Sequence, residues 1–263
     1  MIIELLDKST LVLINKKLKF PLAVAEKDYF LAVVSKIIFD SPLKNRLIFK
    51  GGTALYHTYL PQLRFSEDLD FSSNQNPMSL DELKAIFAPY EFLSVKKEYL
   101  SKATIKIERL LFTGPLGQSN SLKVEVDFLQ NVILPPREKK YHNIYGVKTK
   151  VRVMDIREIA AEKIRAMNDR VRYRDFYDFS MICRKLDINL AEAVALVRQK
   201  EVRKPINPQT ILSNWQLAKK DKVNELTAIH YSEELSDESL ETQLRCLRFA
   251  KINKTHSRPS KAR

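Results

Sequence analysis

The stretch that decides the fold begins Ile48-Phe49-Lys50-Gly51-Gly52-Thr53-Ala54-Leu55 and ends Arg64-Phe65-Ser66-Glu67-Asp68-Leu69-Asp70-Phe71. An apolar run ends at a Gly-Gly turn, and a short helical segment follows. Two aspartates one residue apart then stand inside an apolar strand pattern. Because successive side chains of a strand point to opposite faces, we expect Asp68 and Asp70 to share one face and Leu69 and Phe71 to share the other.

The paired aspartates predict a cation site. Neighbouring carboxylates repel each other unless positive charge lies between them, and a divalent cation with oxygen ligands is the usual solution. A Gly51-Gly52 turn before a helix start offers backbone N–H groups that favour phosphate, and we expect the Thr53 hydroxyl to add a contact. Ser66 is expected either to bind phosphate or to orient Asp68. Phosphate cradle and carboxylate pair together indicate metal-assisted phosphoryl or nucleotidyl chemistry.

A second strand supplies two further carboxylates. Between residues 122 and 129, Lys123, Glu125 and Asp127 alternate with apolar residues, so all three are predicted on one strand face. Carboxylates from two neighbouring strands hold paired Mg²⁺ ions about 3.5–4 Å apart in many enzymes. Glu125 and Asp127 are therefore both candidates for a further metal ligand. A solvated strand face is the alternative interpretation.

The third group of candidate residues lies in a helical pattern. Lys163, Met167 and Arg170 follow an i, i+4, i+7 spacing and share a helix face, and Asp175 and Asp178 share a face of the next helix. We expect Lys163 to bind nucleotide phosphates, with Asp175 acting as a base or holding a basic side chain in place. A salt-bridged, solvated helix junction is the alternative.

Composition limits the class of protein and of partner. The chain has 263 residues and a formal net charge of +13, which favours a polyanionic partner such as nucleic acid. Cys183 and Cys246 are expected to be buried free thiols in a reducing compartment. We see neither a signal peptide nor an apolar run long enough for a membrane span, so the cytoplasm is the expected location. No spacing of histidine and cysteine suggests zinc.

The order of sequence patterns predicts an α+β fold. We expect N-terminal helices in residues 1–44 that pack on a core of residues 45–154, a helical domain in residues 155–250, and a basic disordered tail in residues 251–263. Capping boxes at Ser79–Glu82 and Asp155–Glu158 are predicted to open helices. Residues 135–140, with two prolines and several basic side chains, are predicted to form a loop.

Two ordered motifs resemble those of the AbiEii/AbiGii toxin family. The stretch from Lys50 to Phe71 is similar to the first motif of that family, and residues 161–178 look like its later Lys…Arg-x-Arg-Asp-x-x-Asp motif. Residues 26–29 also look like its N-terminal helix, and the resemblance covers residues 25–185. It implies a polymerase-beta-like nucleotidyltransferase core, with a mixed sheet flanked by helices, and a helical C-terminal domain.

The resemblance also implies a reaction and its partners. It implies Mg²⁺-dependent transfer of a nucleotide from an NTP to an RNA acceptor, and the MenT-type relatives point to the tRNA 3′ end, where the modification inhibits translation. It implies a cognate antitoxin or a role in phage defence. The implied nucleotide and metal site consists of Gly52, Thr53, Ser66, Asp68 and Asp70, and the implied further essential residues are Lys163, Asp175 and, more weakly, Asp178.

Two other functions remain open at this point. The same metal site serves equally for a nucleotidyl- or phosphotransferase that modifies protein side chains, and only the acceptor distinguishes it. A non-catalytic module that binds nucleic acid or an antitoxin is the second alternative. The intact pair of Asp68 and Asp70, together with Lys163, argues against that second alternative. The side chains expected to guide RNA phosphates are Arg165, Arg170, Arg172, Lys219 and Lys220.

Overall fold

A computed structural model of the chain describes residues 3–73 and 78–255, without the side chains of Thr227 and Ala228. These residues form two units. One unit comprises the described residues up to Leu129 together with Pro136–Met154, and the other comprises Gln130–Pro135 together with the described residues from Asp155 onward. The four-part division expected from the sequence stays a prediction.

The first unit is built around one mixed sheet. Its helices are α1 (Lys8–Leu18), α2 (Leu22–Phe39), α3 (Gly51–Thr58) and α4 (Leu80–Ala85). Its strands are β1 (Leu47–Lys50), β2 (Asp68–Ser73), β3 (Leu93–Leu100), β4 (Thr104–Thr113), β5 (Ser119–Asp127), β6 (Arg137–Lys140) and β7 (Lys150–Val153). The strand order is β3-β4-β5-β2-β1-β7-β6. The pairs β1–β7 and β2–β5 are parallel, and the other neighbours are antiparallel.

One face of the sheet is apolar, because strand residues alternate between faces. Leu69 and Phe71 are fully buried, and the Phe71 ring lies 5.2 Å from Phe49 and 6.0 Å from Phe39 of α2. Helix α2 therefore covers this face, and its residues 28–35 are all buried. Asp68 and Asp70 project from the opposite face, as the alternation predicts.

The β6–β7 hairpin corrects one prediction from the sequence. Residues 135–140 are predicted as a loop, but Arg137–Lys140 pairs antiparallel with β7 and forms an edge of the sheet. Charged residues have low strand propensity in isolation, and it is the pairing with β7 that makes this segment a strand. Exposed charged side chains are typical of edge strands, where they oppose pairing with other chains.

The second unit is helical. Its helices are α5 (Ile156–Asp169), α6 (Tyr173–Lys185), α7 (Leu190–Gln199), α8 (Pro208–Ala218), α9 (Lys222–Ile229) and α10 (Asp237–Arg245). Aromatic side chains form part of its core: Tyr173 and Phe176 of α6 lie 6.1 and 5.5 Å from Trp215 of α8. The fold is thus α+β with a helical C-terminal region, as predicted.

Residues 130–135 belong to the helical unit through Glu158 at the start of α5. The Glu158 carboxylate accepts the backbone N–H groups of Ile133 and Leu134, both at 3.0 Å, and lies 2.6 Å from Lys200 Nζ. Asp155 caps α5, but Glu158 does not complete the predicted capping box because it binds this distant segment instead. The other predicted box, Ser79–Glu82, is confirmed.

Two smaller expectations also change. Both cysteines are free, but Cys246 is exposed and Cys183 only half-buried, so the prediction of buried thiols is wrong for Cys246. Within the segment expected as a tail, Ile252 is buried and pairs with Ile206, whereas residues 256–263 lie outside the described residues. Among the helices that the structure describes, none is both long and apolar enough to cross a bilayer.

Candidate active site

The carboxylates predicted on two strands meet because β2 and β5 are parallel neighbours. In their register, Asp70 lies opposite Glu125, and Asp68 lies opposite Lys123. Asp127 lies opposite Ser72, two residues further along β5 than Glu125. The structure therefore brings Asp68, Asp70 and Glu125 together on one sheet face and places Asp127 at its margin.

Lysines lie between these carboxylates. Lys123 Nζ is 2.8 Å from Glu125 Oε2 and 4.0 Å from Asp68 Oδ2, and Lys106 Nζ is 3.1 Å from Glu125 Oε1. Lys50 Nζ is 3.0 Å from Asp127 Oδ2. These lysines were not among the site residues predicted from the sequence. Alternation along β5 placed Lys123 beside Glu125, but its contact with Asp68 depends on a strand pairing that no local pattern reveals.

Asp70 carries a negative charge that its surroundings do not balance. The pKa of Asp70 is raised from 3.8 to about 6. Burial is the largest cause of this increase, and the neighbouring charge of Asp68 adds to it. The charges of Lys123 and Lys50 oppose the increase but do not cancel it. Within residues 3–73 and 78–255, no basic side chain comes within 4.0 Å of its carboxylate. A bound cation at this position would relieve that imbalance.

The Gly-Gly turn closes over the two strand residues. Gly51 has a φ of +79°, and a Cβ built on it would lie 2.6 Å from Asp70 Oδ2. A Cβ on Gly52 would lie 2.7 Å from Ser66 Oγ. The N-cap residue of α3, Lys50, makes no side-chain capping hydrogen bond, so the first N–H groups of the helix lack the usual N-cap acceptor. Such a helix start favours an anionic ligand.

Thr53 fixes α3 to β2. Its side chain is fully buried, and its hydroxyl lies 2.6 Å from the carbonyl oxygen of Asp68 and 3.1 Å from Ser66 Oγ. A hydroxyl has one proton to donate, and the shorter contact assigns that proton to the carbonyl. Thr53 thus positions Asp68 in this structure, and its predicted contact with phosphate stays a prediction.

The donor set fits a hard divalent cation at Asp68 and Asp70. Carboxylate oxygens are the ligands that Mg²⁺ prefers, the charge of Asp70 is unbalanced, and Gly51 leaves room that a Cβ would fill. In the part of the chain that the structure describes, however, no three side chains of His, Cys, Asp or Glu lie close enough together to hold one metal ion. Metal ligation by Glu125 and Asp127 stays a prediction.

Lys163 and Asp175 pair with each other in the helical unit. Lys163 Nζ lies 3.1 Å from Asp175 Oδ1 and 2.6 Å from Asp178 Oδ2. Arg170 binds Asp175 through Nε at 2.7 Å and Nη2 at 3.0 Å. Burial alone would raise the pKa of Asp175, but the charges of Lys163 and Arg170 hold that pKa well below its ordinary value. The ammonium of Lys163 is thus shared by two carboxylates, and its predicted phosphate contact stays a prediction.

Gly51→Ala should destabilise the protein and disrupt the site together. An alanine at positive φ costs about 1–2 kcal/mol, and its Cβ would displace the carboxylate of Asp70. We expect a lower melting temperature and loss of any cation binding at Asp68 and Asp70, measured by calorimetry with Mn²⁺. Gly117→Ala is the matched control, since Gly117 has a φ of +71° with nothing within 4 Å of a built Cβ. Equal cation binding by both variants would contradict this prediction.

Comparison with known proteins identifies relatives. The model of a family described as nucleotidyl transferase AbiEii toxin of a type IV toxin–antitoxin system matches residues 33–249. The structure is similar to MenT4, a nucleotidyltransferase toxin from Mycobacterium tuberculosis H37Rv, with a TM-score of 0.67 and 18% identity over 90% of this chain and 87% of that one. It is also similar to JHP933 from Helicobacter pylori, with a TM-score of 0.52 and 17% identity over 85% and 90%. No curated protein matches the sequence.

Proposed function

The chain belongs to the AbiEii family of nucleotidyltransferase toxins from toxin–antitoxin systems, and from this premise we propose that it transfers a nucleotide from an NTP to an RNA. The proposed acceptor is the 3′ end of tRNA, so that the modified tRNA no longer supports translation. The observation that carries the proposal is the pair of Asp68 and Asp70 under the Gly51 turn. A carboxylate pair with unbalanced charge beside uncapped N–H groups suits a metal-bound triphosphate.

The chain's own groups supply binding and orientation for this reaction. In our proposal, the N–H groups of Gly51 and Gly52 and the Ser66 hydroxyl hold the triphosphate. Thr53 fixes α3 against β2 and thereby sets the distance between these donors and Asp68. In this proposal the acceptor hydroxyl attacks the α-phosphorus and releases its proton to water, while the bond from that phosphorus to the pyrophosphate breaks and pyrophosphate leaves.

Asp68 and Asp70 would hold the catalytic cation, and Glu125 is the better candidate for a third ligand because it lies directly opposite Asp70. Bound Mg²⁺ in such a site lowers the pKa of an attacking hydroxyl and neutralises charge on the leaving group. Asp127 is the weaker candidate, since its carboxylate is held by Lys50.

The excess of basic residues supports an RNA acceptor over a protein side chain. A net charge of +13 attracts phosphate backbones over a long range and raises the rate of encounter. The family description supports a cognate antitoxin as a further partner.

One experiment tests the reaction and the acceptor. The full chain is incubated with total tRNA, Mg²⁺ and each α-³²P-labelled NTP in turn, beside Asp70→Asn and beside an EDTA control. We expect label on tRNA only with the wild type in Mg²⁺. Periodate-oxidised tRNA, which lacks the 3′-terminal diol, should remain unlabelled if the 3′ end is the acceptor.

The other outcomes are equally decisive. Label on protein in place of RNA would support the protein-modifying alternative. Label on oxidised tRNA would exclude the 3′ end while leaving RNA as the acceptor. Failure to transfer from any of the four NTPs, with several RNAs tried, would count against catalysis and favour the binding module.

A further inference from the structure

One face of the sheet carries charges of both signs in alternation. We call it the charged face, and it comprises Lys50, Asp68, Asp70, Lys106, Lys123, Glu125 and Asp127. Its acidic members are the candidate metal ligands described above. Its lysines lie between them, because the registers of β1, β2, β4 and β5 place Lys50 opposite Asp70 and Lys106 opposite Glu125.

Lys123 occupies the centre of this arrangement. It lies opposite Asp68 on the neighbouring strand and two residues before Glu125 on its own strand, so both carboxylates share its face. Its ammonium is 2.8 Å from Glu125 and 4.0 Å from Asp68. It therefore bridges the carboxylates of two strands, as the second ion of a two-metal site would do.

The balance of charge on this face differs from that of a site prepared for two metal ions. Asp68, Glu125 and Asp127 each have a lysine within 4.0 Å, whereas Asp70 has no basic partner at that distance among the described residues. Four carboxylates and three ammonium groups leave one negative charge unbalanced. One divalent cation beside Asp70 more than balances it, and a second would be repelled by the lysines.

The geometry agrees with the charges. In the described ranges, no three acidic side chains converge on one point as the ligands of a metal ion do. Glu125 is turned toward Lys106 and Lys123 on either side. Each of its two carboxylate oxygens thus has a lysine partner, whereas Asp70, directly opposite in register, has none within 4.0 Å among the described residues.

We infer that Lys123 takes the place of a second metal ion, so that the site binds a single divalent cation at Asp68 and Asp70. This inference rests on the proposed function, because it concerns the same cation site. It assigns Lys123 a charge-balancing role in the nucleotidyltransferase reaction, in which its ammonium permanently supplies the charge that a second ion supplies elsewhere.

Binding of Mn²⁺ to the full chain without nucleotide tests this inference. Electron paramagnetic resonance of free Mn²⁺ gives the number of ions bound per chain. We expect one ion for the wild type and for Lys123→Arg, which keeps the charge, and two ions for Lys123→Met, which removes it. Asp70→Asn should bind none. Lys150→Met is the matched control, since Lys150 pairs with Glu138 on β6 at 2.9 Å and is exposed.

Each outcome decides the matter. Two ions on the wild type, or one ion of unchanged affinity on folded Lys123→Met, would overturn the inference. Transfer of nucleotide by a wild type that binds two ions would overturn it while leaving the proposed function standing. A wild type that binds no Mn²⁺ and transfers no nucleotide overturns both. If Lys123→Met does not fold, as judged by circular dichroism, Lys123→Gln carries the same expectation.

Discussion

Asp70→Asn should abolish nucleotide transfer and raise the melting temperature of the metal-free protein. The amide keeps the shape of the carboxylate but removes its charge, so a cation site loses a principal ligand. Metal ions supply several kcal/mol of transition-state stabilisation, and we expect transfer to fall by about 10³-fold or more. The gain in stability follows from the same charge, which has no basic partner in the described residues.

The sign of this stability effect depends on pH. The pKa of Asp70 is raised from 3.8 to about 6 in the folded protein, so the group is protonated in both folded and unfolded chains only when the pH lies well below 3.8. As the pH rises from about 4 to about 6, the unfolded chain releases its proton first, and the folded state loses up to about 3 kcal/mol of relative stability. Asp70→Asn escapes this loss.

Melting temperatures measured in EDTA test this prediction. At pH 7.5 we expect Asp70→Asn to melt about 5–10 °C above the wild type, and the difference should decrease toward pH 4. Glu138→Gln is the matched control, because Glu138 is an exposed strand carboxylate whose replacement should change stability by less than about 0.5 kcal/mol. A melting temperature at or below that of the wild type at pH 7.5 would show that the charge of Asp70 is balanced.

Lys163→Met should destabilise the helical unit strongly. It removes the ammonium that lies between Asp175 and Asp178, whose side chains are fully buried. Removing one partner of a buried ion pair costs about 3–5 kcal/mol, because an uncompensated charge remains. Arg170 still binds Asp175 in the variant, so Asp175 keeps part of its charge balance.

Urea unfolding as a function of pH distinguishes this cause from simple loss of packing. In the wild type, the lowered pKa of Asp175 means that its contribution is present at neutral pH and is lost only as the pH falls below 3.8. In Lys163→Met, Asp175 and Asp178 take up protons more readily, so the difference in the free energy of unfolding between variant and wild type should decrease toward pH 4. A difference that stays constant with pH would contradict this electrostatic explanation.

Two further variants separate stability from catalysis. Lys185→Met removes a lysine of α6 that is paired with Glu233 at the surface, and such pairs contribute about 0–1 kcal/mol. Lys163→Arg keeps the positive charge between the two aspartates. If Lys163→Arg is stable but inactive in transfer, the phosphate contact predicted from the sequence is supported, whereas full activity would assign Lys163 to positioning alone.

Local pattern was sufficient to predict how Asp68 and Asp70 are placed on β2. The alternation of Asp68 and Asp70 with Leu69 and Phe71 depends only on strand geometry, and the Gly51 turn lies next to them in the chain. The fold class followed from the change of period near Asp155 and from the family motifs. These features are local in sequence, and so the sequence predicted them correctly.

Features that depend on distant pairing were not predictable in the same way. The contact of Lys123 with Asp68 requires β2 and β5 to be parallel neighbours, and strand order is not written in either strand. The strand at Arg137–Lys140 exists because β7 pairs with it. Glu158 has the spacing of a capping box, but its carboxylate accepts the N–H groups of residues 133 and 134 instead of the N–H group at the start of its own helix.

The attachment of residues 130–135 to Glu158 has a consequence for dissecting the protein into fragments. The chain passes from one unit to the other after Leu129, returns after Pro135 and leaves again after Met154. A fragment cut at Met154 would retain residues 130–135 while losing the carboxylate that accepts two of their N–H groups. The helical unit, expressed alone from Asp155, would leave Glu158 and Lys200 without that segment. Neither half, cut at Met154, therefore keeps all of the contacts that hold residues 130–135.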